Sequence, residues 1–106
     1  MFKIGNQGSF ETLPDHVRAI YEGDTDAVKE FIKQGRDLEE EIVLSKYIAL
    51  TPLDLALICN QPEVVKLLVE YGVNLNVINN SAILKAVRYC GEEMVRYLYQ
   101  QGAKLN

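Results

Sequence analysis

Apolar side chains recur along this chain at the spacing of an amphipathic helix. Between residues 62 and 72 they form one stripe with members at i, i+3, i+4 and i+7, namely Val64, Val65, Leu67, Leu68 and Tyr71. Two further stretches carry the same stripe, with Val28 and Phe31 in one and Val95 and Leu98 in the other. The pattern therefore predicts three copies of one helix.

The likeness between these stretches extends beyond the stripe. Polar or small residues around Gly23, Asn60 and Gly91 interrupt each copy and predict a turn between a short first helix and a second one. An alanine before this turn and a glycine after the second helix are always 16 positions apart, in the pairs Ala19–Gly35, Ala56–Gly72 and Ala86–Gly102. Each of these glycines stands where a left-handed cap commonly ends a helix. The chain is therefore predicted to be all-α, built from helix–turn–helix units that stack on one another.

The second unit carries the most specific motif. Its segment 50–56 reads Leu-Thr-Pro-Leu-Asp-Leu-Ala and resembles the Thr-Pro-Leu-His-x-Ala signature of the ankyrin repeat family. This resemblance implies an ankyrin solenoid with function in its surface residues. The organisation it implies is an N-terminal arm at 1–12 and a repeat region at 13–106, divided at about 13–46, 47–79 and 80–106.

The departures from the family pattern concern the helix starts. Asp54 replaces the usual histidine, and we expect it to be structural because a carboxylate can accept a hydrogen bond at a helix start. The third unit reads Ser-Ala-Ile-Leu at 81–84, which is a degenerate start. The first has only Pro-Asp-His-Val at 14–17, which suits an atypical capping unit.

The connections between the units also depart from the family. Ala19 and Ala56 are 37 positions apart and Ala56 and Ala86 are 30 apart, against a family period of 33. In the family these connections form hairpin fingers beside the first helices. We therefore expect an enlarged finger at 39–50 and a finger clipped to a turn at 76–81. An enlarged loop is either a recognition feature or neutral drift, because loops tolerate insertions.

Composition and charge narrow the class of partner. The 106 residues fit one domain, and the net charge of −4 is uneven: residues 1–53 hold ten acidic and six basic residues, and 54–106 hold five of each. An acidic balance argues against nucleic acid and anionic membranes, which attract basic patches. It suits either a protein partner with a basic surface or a solvated face that aids solubility. With no apolar run near 20 residues and no signal-peptide core, we expect a cytoplasmic protein.

Residues for catalysis or for holding a cofactor are not evident. His16 is the only histidine, so no histidine cluster can bind zinc. Cys59 and Cys90 are expected about 10 Å apart on neighbouring units, and we interpret both as reduced thiols. The glycine-rich segment 5–9 lacks the lysine of a phosphate loop, and the three glutamates at 39–41 are a weak cation motif. The sequence therefore predicts no enzyme, no cofactor and no metal.

The family resemblance implies a protein-binding surface made of the fingers and the outer ends of the first helices. The residues expected there are Tyr21, Glu22, Tyr47, Ile48, Ile58, Cys59, Arg88 and Tyr89, with Ile78, Asn79 and Asn80 on the second finger. Tyrosine and arginine are enriched among residues that dominate binding energy.

Three interpretations of function remain open. The first is a protein-binding module. The second is a more specific version of it, an immunity protein that neutralises a bacterial toxin. The third is an adaptor segment of a longer array, since no polar cap follows the last predicted helix. A partner copy could cover that last face instead, so the expected state is a monomer or a weak dimer.

Overall fold

The structure is a computed structural model that describes residues 14–77 and 81–104. Within them the chain forms six helices and one short hairpin: α1 (Asp15–Glu22), α2 (Thr25–Lys33), β1 (Ile42–Val43), β2 (Ala49–Leu50), α3 (Pro52–Ile58), α4 (Pro62–Glu70), α5 (Ala82–Tyr89) and α6 (Glu92–Gln100). The helices pair as α1–α2, α3–α4 and α5–α6, which we call the first, second and third units. The predicted all-α class and helix–turn–helix units are confirmed, and the hairpin lies in the expected finger. The N-terminal arm and Ile78, Asn79 and Asn80 lie outside the described residues.

Side-chain caps determine where several helices begin. The Thr51 hydroxyl accepts a hydrogen bond from the Asp54 amide, and the Asp54 carboxylate accepts one from the Thr51 amide, both at 3.1 Å. This reciprocal capping box satisfies two amides that have no partner inside α3. The structural role expected of Asp54 is therefore confirmed. Ser81 makes only the first of these two bonds at α5, its hydroxyl accepting from the Leu84 amide at 3.2 Å, so the degenerate start still begins a helix.

A glycine in the same left-handed conformation ends the second helix of every unit. Gly35, Gly72 and Gly102 have φ values of 89°, 89° and 104°, the left-handed region in which only glycine is free of a Cβ penalty. In each case the glycine amide and the amide that follows it both bond back into the last helical turn. This is the pattern of a Schellman motif, and it confirms the caps expected from the sequence.

The units stack through their first helices. Helix α3 lies between α1 and α5 and contacts both, and α2 packs against α4. The α4 and α6 backbones approach each other less closely than α2 and α4 do. The side chains that are almost completely shielded from solvent come from all three units: Val17, Leu55, Leu57, Val64, Val65, Leu68 and Leu98. One continuous core therefore joins the units, because none of them can bury its apolar face alone.

Polar side chains also link the loops that follow the second helices. The Glu39 carboxylate accepts a hydrogen bond from the Asn74 amide at 2.7 Å. Asn76, which aligns with Glu39 in the repeat, accepts one from the Lys104 amide at 2.8 Å and donates to the Gly102 carbonyl at 3.1 Å. The same contact thus recurs from unit to unit and fixes the spacing of the loops.

Candidate protein-binding surface

The finger between the first and second units is a hydrogen-bonded hairpin. Its strands pair antiparallel, with Ile42 opposite Leu50 and Val43 opposite Ala49. At the tip the Leu44 amide donates to the Ile48 carbonyl at 2.9 Å, and the Ser45 hydroxyl accepts from the Tyr47 amide at 3.2 Å. Because alternate residues of a strand point to opposite faces, Ile42 and Leu44 are buried while Val43 is exposed.

The finger holds large apolar side chains out in solvent. Tyr47 is 87% exposed, and Ile48 and Val43 are also exposed. The Lys46 ammonium lies 5.9 Å from the centroid of the Tyr47 ring, within the range of a cation–π contact. The finger tip therefore presents an aromatic ring, an aliphatic side chain and a positive charge on an ordered backbone.

The other predicted binding residues form a row at the far end of the first helices. Each of α1, α3 and α5 contributes a pair from its last turn: Tyr21 and Glu22, Ile58 and Cys59, and Arg88 and Tyr89. Glu22, Arg88 and Tyr89 are exposed, whereas Tyr21, Ile58 and Cys59 are half-buried. The finger joins α3 at its opposite end, since β2 ends one residue before the Thr51 cap. The predicted set thus divides into a finger group and a row, separated along α3 by about 10 Å.

The thiols and the imidazole do not form a reactive pair. Both cysteines are free, as predicted, and burial raises the pKa of each thiol. The Cys90 thiol donates to the Leu57 carbonyl at 3.2 Å. His16 lies at the start of α1, edge-on to Phe31 with ring centroids 6.2 Å apart, so it is at the opposite end of the stacked helices from Cys59. Burial, and next the positive charge of Arg36, lower the pKa of His16.

The acidic segment after α2 has structural partners. Glu39 accepts from the loop of the second unit, and Glu40 forms an ion pair with Arg36 at 3.2 Å. Within residues 14–77 and 81–104, no group of three or more histidine, cysteine or carboxylate side chains is arranged to hold a metal ion. Over the same described ranges, no helix is long and apolar enough to cross a membrane.

The repeated helix pairs, their common glycine terminator and the finger match a known family. The model of the ankyrin repeat family matches residues 16–106 as three copies. The chain belongs to the ankyrin repeat family. Ankyrin repeats are generally modules that bind other proteins, and they are typically not catalytic. No curated protein matched the chain.

Comparing equivalent positions of the ankyrin repeats reveals a second exposed surface. Leu84 of the third unit aligns with Asp54 of the second, and Val87 aligns with Leu57. Asp54 is 4% exposed and Leu57 is fully buried, whereas Leu84 is 51% and Val87 62% exposed. A following unit covers these positions in the second repeat. The α5–α6 end face, which we define by Leu84, Val87, Val95 and Tyr99, has no such cover within the described chain.

The residues of this end face were not among the binding residues predicted from the sequence. The alignment of Leu84 with Asp54 was the signal that would have shown their exposure. Asp54 sits in the interface between units, where its carboxylate also lies 3.5 Å from the Lys85 ammonium of the third unit. The third unit has the apolar Leu84 at that position, so this face calls for an apolar contact where the second unit forms an ion pair.

Proposed function

We propose that this ankyrin stack binds a partner protein through the finger and the row of first-helix ends. The observation that carries the proposal is the finger tip, where Tyr47 and Ile48 stay exposed on a hydrogen-bonded hairpin. Such a tip loses little conformational entropy on binding, because its backbone is already ordered. Aromatic anchors on rigid elements are also the usual hot spots of protein interfaces.

The charge near this surface favours a partner with a basic patch. Glu22 is exposed in the row, and the acidic residues Glu39 to Glu41 directly precede strand β1 of the finger. Lys46 and Arg88 place positive charges beside two tyrosines within the same surface. The acidic groups would accelerate association with a basic protein, and this contribution would weaken as salt is added.

Photo-crosslinking tests where the partner binds. A benzoylphenylalanine at position 47 should capture the partner, and the same residue at position 71 should not. Tyr71 is the matched control because it is half exposed and belongs to the end of a second helix, α4, and so to neither the finger nor the row.

Affinity measurements with the captured partner then test individual residues. Tyr47→Ala and Tyr89→Ala should each raise the Kd about tenfold or more, as loss of a hot spot does, while Tyr71→Ala leaves it within about twofold. If alanine at 47, 48, 88 and 89 leaves Kd unchanged while circular dichroism shows an intact fold, the surface is wrong.

The α5–α6 end face supports a second candidate function, as a segment of a longer repeat array. Its apolar residues occupy positions that the next unit buries in the second repeat. The mass of the native protein tests this candidate. A native mass above 12.0 kDa that includes further repeats would support it, and a native product of 12.0 kDa would contradict it.

Alternatively, a second copy of this chain packs on the α5–α6 end face. In sedimentation experiments it would give a dimer that Val87→Lys abolishes.

A further inference from the structure

Each junction between neighbouring first helices buries a matched pair of side chains. Between the second and third units, the Lys85 ammonium lies 3.5 Å from the Asp54 carboxylate, with the two side chains 23% and 6% exposed. The repeat places Val17 and Leu55 at the same two positions of the first junction, and both lie in the common core. A charge therefore faces the opposite charge and an apolar side chain faces another, because an unpaired charge is costly to bury.

Neighbouring second helices also share an equivalent pair. The Lys66 ammonium of α4 lies 5.8 Å from the centroid of the Tyr97 ring of α6, within the range of a cation–π contact. At the first junction the same positions hold Lys29 and Leu67, which line one groove between α2 and α4. A long basic side chain of one unit thus faces an aromatic or apolar side chain of the next, so that its stem covers apolar surface while its charge stays in water.

The α5–α6 end face and Arg96 beside it hold the first members of both pairs. Leu84 stands at the position of Asp54, and Arg96 stands at the position of Lys66. Leu84 is 51% exposed, and the Arg96 side chain is 63% exposed. The groove on this face has a volume of about 380 Å³ and is lined by Ile83, Glu92, Val95, Arg96 and Tyr99. The face thus continues the two internal junctions, and its occupant has to supply the second member of each pair.

The first unit of another copy of this chain does not supply these second members. It has Arg18 where the second unit has Leu55. Stacking it on the end face would bury the Arg18 guanidinium against Leu84, and a charge buried without a partner is strongly destabilising. Its Glu30 would face Arg96 only at the exposed rim, where an ion pair contributes little. The end face therefore fits an apolar helix pair rather than a row of head-to-tail copies.

We propose that the α5–α6 end face takes a following helix pair, stacked in the repeat register, that presents an apolar side chain to Leu84 and an aromatic or apolar one to Arg96. The proposal rests on the second candidate function, in which further repeats follow, and it states the chemistry of the unit that stacks there. Val87 becomes buried in the same contact, as Leu57 is at the equivalent position of the second unit. Because the pairs differ between junctions, they also specify which unit follows which.

A variant of this protein supplies a probe with that chemistry. Arg18→Leu and Glu30→Leu give its first unit the leucines that the second unit carries at the same two repeat positions. Leu84→Lys and Val87→Lys remove the end face of the probe, so that it binds one wild-type molecule and does not polymerise. The control probe carries the same two lysine substitutions but keeps Arg18 and Glu30.

Nuclear magnetic resonance titration of the ¹⁵N-labelled wild type with each probe measures the binding. The leucine probe should shift the amides of residues 84–88 and 95–99 saturably. It should bind at least about tenfold more tightly than the control probe, which has to bury an unpaired guanidinium. Leu84→Asp in the labelled protein should reverse this order, because the new carboxylate pairs with Arg18 as Asp54 pairs with Lys85.

A third probe separates the matched pairs from added apolar surface. It carries Lys33→Leu and Glu70→Leu in place of the substitutions at 18 and 30, and these two residues share one repeat position that is exposed in both units. This probe should bind no more tightly than the control probe.

Four outcomes would overturn the proposal: no binding of the leucine probe, equal binding of the probes, shifts centred outside the end face, or an unchanged order in the Leu84→Asp protein. A wild-type dimer that protects residues 84–88 would also overturn it, since the occupant would then be a second copy. None of these results affects the finger, which is tested at Tyr47 and Ile48. They also leave the native mass to decide whether further repeats exist, so the pairing chemistry and the longer array fail separately.

Discussion

Replacing Asp54 by alanine should weaken the junction between the second and third units. The substitution removes the hydrogen bond from the Thr51 amide and the ion pair with Lys85, whose side chain is only 23% exposed. A hydrogen bond to a charged group contributes about 1.5–3 kcal/mol, and stranding one partner of a buried pair costs about 3–5 kcal/mol. Because Lys85 keeps some contact with water, we expect a loss of about 2–4 kcal/mol in the free energy of unfolding.

Urea denaturation followed by circular dichroism measures this loss. For an m-value of about 2 kcal/mol/M, in the usual range for a small domain, the midpoint should fall by about 1–2 M. Asp54→Asn keeps an oxygen to accept from Thr51 but loses the charge, so its midpoint should lie between those of the wild type and the alanine variant.

A double-mutant cycle isolates the contribution of the ion pair. Alanine at 54 should cost at least about 1 kcal/mol less in a Lys85→Met background than in the wild type. Replacing both residues by leucine should cost only the capping hydrogen bond from the Thr51 amide, about 1.5–3 kcal/mol, because a buried ion pair and a packed apolar pair are often similar in stability. If Asp54→Ala costs under about 0.5 kcal/mol, or equally much in both backgrounds, the carboxylate does not couple the units.

Three further predictions concern the turns and the titratable groups. Gly72→Ala should lower the free energy of unfolding in urea by about 1–2 kcal/mol, because the φ of Gly72 is 89°. Gly23→Ala should lower it further, because the new Cβ also displaces Gln61, and equal losses in the two variants would contradict that contact. The pKa of His16 is lowered in the folded chain, so the unfolded chain binds more protons near pH 6.5 and the free energy of unfolding should fall from pH 7.5 to pH 5.5. His16→Gln should flatten this dependence of Tm on pH, and parallel curves for the two proteins would show that His16 does not contribute. Cys59 and Cys90 should react with iodoacetamide at pH 8 more slowly in the folded protein than in urea, because burial raises their pKa and lowers the thiolate fraction; equal rates would contradict this.

The periodic features of the fold were predictable from sequence because each depends on local geometry. The apolar stripe of residues 64–71 requires a helix of period 3.6, and the glycines at 35, 72 and 102 mark its end. The finger was predicted from the interval between Ala19 and Ala56, which exceeds the family period. The register in which its two strands pair was not predicted, since two-residue strands leave hardly any alternating pattern to detect.

The candidate surfaces were harder to predict because exposure depends on neighbours. Ile58 and Cys59 are half-buried although the helix position alone suggested an open surface. Tyr47 could equally have packed beneath the finger, and only the hairpin turn at Ser45 shows that it points outward.

On the α5–α6 end face, repeat positions that are buried in the second unit are exposed in the third. Leu57 completes the core because α5 covers it, while Val87, at the same repeat position, is 62% exposed. Burying a complete leucine or valine side chain stabilises a protein by about 1.5–3 kcal/mol, so covering the exposed halves of Leu84 and Val87 would contribute about 2–3 kcal/mol. Lysine at both positions would remove that gain without disturbing the internal core, since neither side chain is part of it. A unit or partner that stacks on this face should therefore raise the Tm of the wild type and leave that of the double lysine variant unchanged.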